Sequence, residues 1–486
     1  MVTALGARFD YPHDFKPWFT HPNTGEKVFV MWDACHMVKL VRNTFSDKRI
    51  LFNPDKKPIQ WELIEKLTAI QSSEGLTVAT KVTQRHINYH NDKMKVKLAV
   101  QVLSTSVCHG LMYCTRKNIP GFEDTNATSQ FCLIINDAFD MLNSRHRFSK
   151  SIYNHGISAD NCMLFENKIL FTIDYLSNLY DSTGQRLIET NRKTGFLGLV
   201  IDLTNLLNLY EEYVVKSKVL KYILSYKFSQ DHLETFFGAI RRRGGWNNNP
   251  SAVQFKTAYK RLLVKHQITS SSSGNCGILD ATSILHVGSG TTFTTPDTII
   301  PEENVYSAFT SIAHDHAYVN GNIDNISPYV EDVLNYIAGF VVRSVSKRIT
   351  CDFCRQHLAT SETTSALINL KNRGGLIIPS PSVVFICKKL ESIIRINKYN
   401  FSVKGNLCQK IFHQLMLNCL DFFNDQEMTN HIKQQDLIDN HKYQLIKLVA
   451  YNYINLRLRH EARKINQSSQ TNVRQKYNRL VLFAHQ

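Results

Sequence analysis

Several absences narrow what this sequence can do. No unbroken apolar run is long enough to cross a bilayer: the most apolar stretch, Phe196–Tyr210, is interrupted by Asp202, Asn205 and Asn208. The opening MVTALGARFDYPHDF lacks the apolar core of a secretory signal. No glycine-rich turn is followed by Lys and Ser/Thr, which excludes a P-loop. The 11 cysteines are scattered instead of framed as a small secreted scaffold, a usage that fits a reducing compartment. Acidic residues are the scarce charge, 41 Asp+Glu against 57 Lys+Arg, for a net +16. That balance suits a polyanionic partner, although charge alone does not separate DNA from RNA or an anionic membrane. The expectation is a soluble intracellular protein of two to four domains, with no membrane association and no internal repeats.

One stretch, SQDHLETFFGAIRRRGGWNNNPS (229–251), mixes residues that a plain core helix does not need. Leu233, Phe236, Phe237 and Ile240 recur at i, i+3, i+4 and i+7, predicting a helix with one buried face. Asp231 and Glu234 stand one turn apart beside that stripe, Arg241–Arg243 fill the last turn, and Gly244-Gly245 stops it. Two uses fit: a solvated acid pair with a charged helix end, or functional carboxylates next to phosphate-seeking arginines.

Upstream, Lys27–Trp32 (KVFVMW) is nearly all apolar, which predicts a central strand buried on both faces. Asp33 follows at its carboxyl end, where ligands gather in open α/β sheets. It serves equally as an N-cap for a short helix bearing Met37, Leu40 and Val41. His36 has no role here beyond packing. About 200 residues separate Asp33 from Glu234, too many for a loop in a compact domain, so something folds between them. Trp61–Gln71, Lys81–His90, Lys93–Leu103 and Phe131–Asn143 are periodic at helical spacing, giving an all-α insertion from Pro58 to Thr190. An apolar helix at Val200–Val214 leads back towards Asp231, and Phe255–Lys265 forms a basic helix.

From Thr269 to Pro328 the composition shifts to Ser, Thr, Gly, Asn and Pro, as in a linker. Val330–Arg348 then begins a helical region that runs to the end. Cys351 and Cys354 form a CxxC with His357 three residues on, but no second pair sits at a usual spacing. Cys387, Cys408 and Cys419 are isolated on apolar helical patterns, so buried thiols are expected in preference to zinc. Arg457, Arg459, Arg463, Lys464, Arg474 and Lys476 give the tail a basic face suited to nucleic acid or solvent.

QDHLETFF followed by GAIRRRGGWNNNP resembles the signature of the P-element family of DNA transposases, which includes the THAP-domain transposases. EKVFVMWDACHMVKLVRN resembles that family's strand bearing its second catalytic aspartate, and KTGFLGL its return from insertion to catalytic domain. KMKVKLAVQVLSTSV and INDAFDMLNSR resemble its GTP-binding insertion. The resemblance implies a mixed α/β, mostly helical chain: part of an RNase H-like fold, an all-α GTP-binding insertion, and a helical C-terminal region. The implied divisions are 1–57 (with the aspartate), 58–190 (insertion), 191–268 (with the glutamate), 269–328 (linker) and 329–486 (basic helices).

It also implies metal-dependent DNA cleavage and strand transfer in the nucleus, with Mg²⁺ or Mn²⁺ and with GTP as a binding cofactor. Asp33 and Glu234 become the catalytic, metal-binding carboxylates. Phe139 would pack on guanine, Asp140 and Asn143 would read its edge, and Lys81 with one of Lys95 or Lys97 would meet the phosphates beside Val96. Asp231 would link the two sites. DNA is the implied partner, and self-assembly is left open. The family's first catalytic aspartate has no match here, since Asp10 lies in the lead-in to the Asp33 strand. No Cys/His set near the N-terminus would form a THAP zinc module either. The expectation is therefore a transposase fragment that does not cut DNA alone, with a non-catalytic, host-adopted DNA- and GTP-binding protein as the alternative. A third, blander reading, a basic helical RNA-binding protein, rests on charge alone.

Overall fold

Short hairpins, not a broad sheet, open the chain. β1 (Arg8–Asp10) pairs antiparallel with β2 (Asp14–Lys16), and β3 (Trp18–Thr20) with β4 (Lys27–Phe29). The computed structural model describes residues 2–149, 151–243, 249–264, 326–363, 365–396, 407–418, 422–423, 426–433 and 440–481. They fall into two compact units, within Met1–Ile299 and Ile300–Gln486. Every sheet among the described residues is two-stranded.

The strand before Asp33 therefore differs from the sequence expectation. β4 has one exposed and two half-buried residues and one strand neighbour, so it is not a central strand buried on both faces. Its continuation is closed by side chains. Asp202 Oδ1 accepts from Trp32 N at 2.6 Å, and Asn205 Nδ2 donates to Pro17 O and Val30 O at 2.6 and 2.7 Å. Both residues lie on a later helix, so their polar side chains satisfy backbone groups that a sheet neighbour would otherwise pair.

Asp33 then caps α1 (Ala34–Lys48), which buries Met37, Val38, Val41 and Phe45. The hairpin β5 (Ile50–Phe52) and β6 (Pro58–Gln60) leads into α2 (Trp61–Glu74), α3 (Gln84–Ile87), α4 (Val96–Val102), α5 (Thr105–Arg116) and α6 (Asn126–Leu142). Of the helix expected over Lys81–His90, only one turn is α-helical, followed by a 3-10 turn at Tyr89–Asp92. Phe45 meets Trp61 and Phe131 with ring centroids 5.3 and 5.2 Å apart, joining α1, α2 and α6 in one core.

β7 (Ile157–Ser158) and α7 (Cys162–Ser177) follow, and Tyr180 then exchanges backbone hydrogen bonds with Phe52 at 2.8 and 2.9 Å. The segment after α7 thus returns to the strand at Phe52. α8 (Thr194–Tyr210) packs along α1, and β8 (Tyr222–Ile223) pairs with β7.

α9 (Asp231–Arg243) and α10 (Ala252–Val264) close the first unit. Ala239, Ile240, Ala258 and Leu262 form a small core with Phe236 and Phe255 against it. The expected apolar face of α9 is only partly buried: Leu233 and Phe237 are 58% and 45% exposed. The pair is small and covers its own inner seam, leaving the flanks in solvent. Gly244, Gly245, Trp246, Asn247, Asn248 and the stretch 265–325 lie outside the described residues.

In the second unit, α11 (Pro328–Val345) is capped by Ser327, whose hydroxyl accepts from Val330 N. α12 (Asp352–Gln356), β9 (Ala359–Thr360), α13 (Ala366–Lys371), β10 (Ile378–Pro379), α14 (Pro381–Ile396), α15 (Leu407–Asn418), α16 (Gln426–Lys433) and α17 (His441–Val481) follow. α11, α14 and α17 pack on one another around Val333, Leu334, Ile386, Leu390 and Val449.

Arg457 is not part of an exposed basic face. It is 6% exposed, donating to the fully buried Glu391 at 2.9 and 3.2 Å, with Tyr453 Oη donating to the same carboxylate at 2.6 Å. A buried carboxylate needs such partners, and Arg457 supplies them. Among the other tail cations, Arg459 is exposed, while the side chains of 463–486 lie outside the described residues.

α1 and α8 approach closely at Gly195, where an added Cβ would fall 2.9 Å from both Leu40 Cβ and the Val41 backbone nitrogen. At Gly198 it would meet only the flexible Met37 side chain. Gly195→Ala is expected to cost about 1–3 kcal/mol by overpacking, partly offset by about 1 kcal/mol of helix propensity. Gly198→Ala gains the same propensity against a neighbour that can move. Urea unfolding should rank Gly195→Ala clearly below Gly198→Ala, and equal stabilities would contradict so close an approach.

Candidate active site

Asp33 is 6% exposed, with Oδ1 accepting from Cys35 N at 3.2 Å as the cap of α1. The cap and the candidate ligand are thus one residue. Its Oδ2 makes a short contact with His36 Nδ1, and His36 Nε2 lies 3.8 Å from Glu234 Oε1 on the first turn of α9. Asp33, His36 and Glu234 each bring one ligand atom within 4.8 Å of the others. The side chain that sequence reasoning assigned to packing therefore stands between the two carboxylates. Its signal was its place three residues after the cap, which puts both groups at the same helix start.

Two more acids flank this cluster. Asp231 is 6% exposed, and with Asp33 it adds to the effect of burial in pushing the Cys35 thiol up. Asp202 is fully buried. Burial above all, then the nearby Asp33, raises its carboxyl well above the usual range, against the Trp32 N–H that favours the anion. Its Oδ2 has no hydrogen-bond partner among the described residues. The trace of this residue in the sequence was an acid in the middle of the most apolar helix.

Two carboxylates and an imidazole fit a divalent cation that takes oxygen and nitrogen donors: Mn²⁺ accepts both, while Mg²⁺ prefers oxygen.

The nucleotide candidates fall in two groups. Asp140 and Asn143 sit half-buried at the end of α6. Asp140 Oδ2 accepts from Asn136 Nδ2 at 3.3 Å and Ser151 Oγ at 3.1 Å, and Asn143 Oδ1 accepts from Arg145 Nη2 at 3.3 Å. Phe139 is 8% exposed, with its ring mostly in the core. The other group lies around α3 and α4. Lys95 pairs with Asp92 at 2.8 Å, Val96 is half-buried, and Lys81 and Lys97 are exposed.

A serine clasp ties the end of α6 to the approach to α9. Ser144 N donates to Ser225 Oγ at 3.0 Å, Ser225 N to Ser144 Oγ at 3.1 Å, and Tyr226 N to Ser144 O at 3.1 Å. The Arg145 guanidinium lies 4.2 Å from the Tyr226 ring centroid, and that ring meets His232 at 5.2 Å. Lys256, Lys260 and Arg261 are exposed on α10.

Residues 35–155 match the family model for the TNP-like GTP-binding insertion domain, 226–260 that for the TNP-like RNase H C-terminal domain, and 325–463 that for the C-terminal domain of the DNA transposase THAP9. The mostly helical class, with an RNase H-like part and a GTP-binding insertion domain, is therefore borne out. Over 414 residues the chain is 27% identical to the human DNA transposase THAP9, covering 81% of this chain and 44% of that protein. Over 408 residues it is 26% identical to the Transposable element P transposase of Drosophila melanogaster, covering 82% and 50%. The chain thus spans about half the length of the curated relatives it matches. A solved Drosophila P element transposase strand transfer complex aligns with a TM-score of 0.46 at 27% identity, covering 53% of this chain and 56% of that one.

A ligand that binds only the native state raises its melting temperature. Mn²⁺ should therefore raise that of the wild type, and the rise should shrink in Asp33→Asn and Glu234→Gln. Equal shifts in all three proteins would mean that the cation binds elsewhere.

Proposed function

Because this chain is homologous to the DNA transposase THAP9 and to the P-element transposase, we propose that it is a P-element-like transposase chain that binds DNA and guanine nucleotide and acts in the nucleus. The observation that carries this reading is the meeting of Asp33, His36 and Glu234 from opposite ends of the first unit's chain. Asp33 and Glu234 would hold Mg²⁺ or Mn²⁺. Bound there, the cation would offset charge on a phosphodiester and lower the pKa of an attacking water or 3′-hydroxyl. Asp33 is held in one orientation by the Cys35 N–H, and His36 lies between the two carboxylates. The exposed Lys256, Lys260 and Arg261 on α10 would follow a phosphate backbone.

The donor set also supports the second reading, a non-catalytic DNA- and GTP-binding protein. Two carboxylates with an imidazole leave a pair of metal ions short of oxygen donors. This chain alone is then expected to leave transposon-end DNA uncut in Mg²⁺ or Mn²⁺. Strand cleavage abolished by Glu234→Ala would reverse that and show that another residue completes the set.

For the nucleotide, Asp140 is the proposed reader of guanine N1–H and the 2-amino group, with Asn143 beside it, Phe139 against the base and Lys81 and Lys95 towards the phosphates. Asp231 and the serine clasp would link this site to Glu234. GTP should bind well above ATP. Asp140→Asn replaces an acceptor oxygen by a donor, losing charge-assisted hydrogen bonds of about 1.5–3 kcal/mol each, so GTP affinity should fall at least about tenfold while xanthosine triphosphate gains. Titration calorimetry decides this, and equal GTP and ATP binding in the wild type would remove the proposed site.

A further inference from the structure

The second unit holds a cluster that the transposase reading does not use. Cys351 caps α12 and Cys354 lies in its first turn, which turns both sulfurs to one side. Against them come His431 from α16 and His441 from the start of α17. His431 Nε2 stands 3.6 Å from Cys351 Sγ, 3.5 Å from Cys354 Sγ and 3.1 Å from His441 Nδ1, and Cys354 Sγ is 3.5 Å from His441 Nδ1.

Hydrogen bonding does not account for this arrangement. A neutral imidazole nitrogen carries either one N–H or one lone pair, so His431 Nε2 cannot bond two sulfurs and a second ring nitrogen at once. A shared cation at the centre satisfies all of them. Zinc bound at about 2.3 Å to sulfur and about 2.0–2.1 Å to nitrogen has tetrahedral edges of about 3.6 Å between S and N and about 3.3 Å between nitrogens. The three S–N separations, 3.5–3.6 Å, match those edges, and the N–N separation of 3.1 Å is slightly shorter.

We propose that Cys351, Cys354, His431 and His441 form a structural zinc site. Four protein ligands leave no open position for substrate, so the role is architectural. α12 and α16 are five and eight residues long, too short to persist unaided, and the metal fastens both to α17. His357, the histidine that its spacing suggested, turns away. Its Nδ1 donates to Phe353 O at 3.0 Å and its Nε2 lies 3.5 Å from Glu427, with the Phe353 ring tilted against both His357 and His431 at 4.1 and 4.4 Å between centroids. The site escaped sequence reasoning because the histidines stand 77 and 87 residues beyond Cys354, far outside zinc-finger spacing.

The test is metal content of the purified full chain by plasma mass spectrometry after dialysis against zinc and then metal-free buffer. About one zinc per chain is expected in the wild type and in His357→Ala, with loss in Cys354→Ser and His441→Ala. Should those variants fail to fold, Co²⁺-loaded wild type decides. It should show the strong visible absorption of a tetrahedral site together with thiolate charge-transfer bands. Wild type that retains no zinc, zinc undiminished in both ligand variants, or a Co²⁺ spectrum without thiolate bands would overturn the assignment.

Discussion

The first unit depends on two polar side chains buried in its most apolar helix. Asp202 and Asn205 take up backbone groups of Trp32, Pro17 and Val30, which fixes the path of the chain into Asp33. An unpaired buried group of this kind costs about 1–3 kcal/mol, so these bonds hold the segment in place ahead of the Asp33 cap of α1. The start of α1 in turn aims Asp33 and His36 at α9. Burial raises the Asp202 carboxyl well above its usual range, against the Trp32 N–H that favours the anion.

The serine clasp is the second constraint. Ser144 and Ser225 are nearly inaccessible, and their mutual hydrogen bonds join the last turn of α6 to the segment entering α9. The candidate guanine reader and the candidate catalytic glutamate are therefore not on independent elements. Arg145 extends the same junction, touching Asn143 on one side and the Tyr226 ring on the other.

Much of this was legible in the sequence. Periodicity located α2, α6, α8, α9 and α11, whereas Asp33 and Glu234 were singled out only by the family resemblance, each having a plainer structural use. What escaped has a common cause: partners that lie far apart in the chain. An apolar run such as KVFVMW implies burial by neighbouring strands, but side chains of a distant helix pair with the backbone here instead. Arg457 read as a solvent cation because Glu391, 66 residues earlier, gave no local sign of facing it. His36 went unassigned for the same reason, since its second partner is Glu234. Asp33 shows the opposite limit: cap and candidate ligand were posed as alternatives, and one carboxylate has an oxygen for each.

The claim at the centre of this account is that Asp33 and Glu234 share a divalent cation. Crystals of the chain grown with Mn²⁺ and measured at a wavelength where manganese scatters anomalously test it directly. An anomalous peak in bonding contact with a carboxylate oxygen from each residue is the predicted result. Crystals in which that space carries no peak at saturating Mn²⁺, or in which the ion sits on other residues, would contradict it.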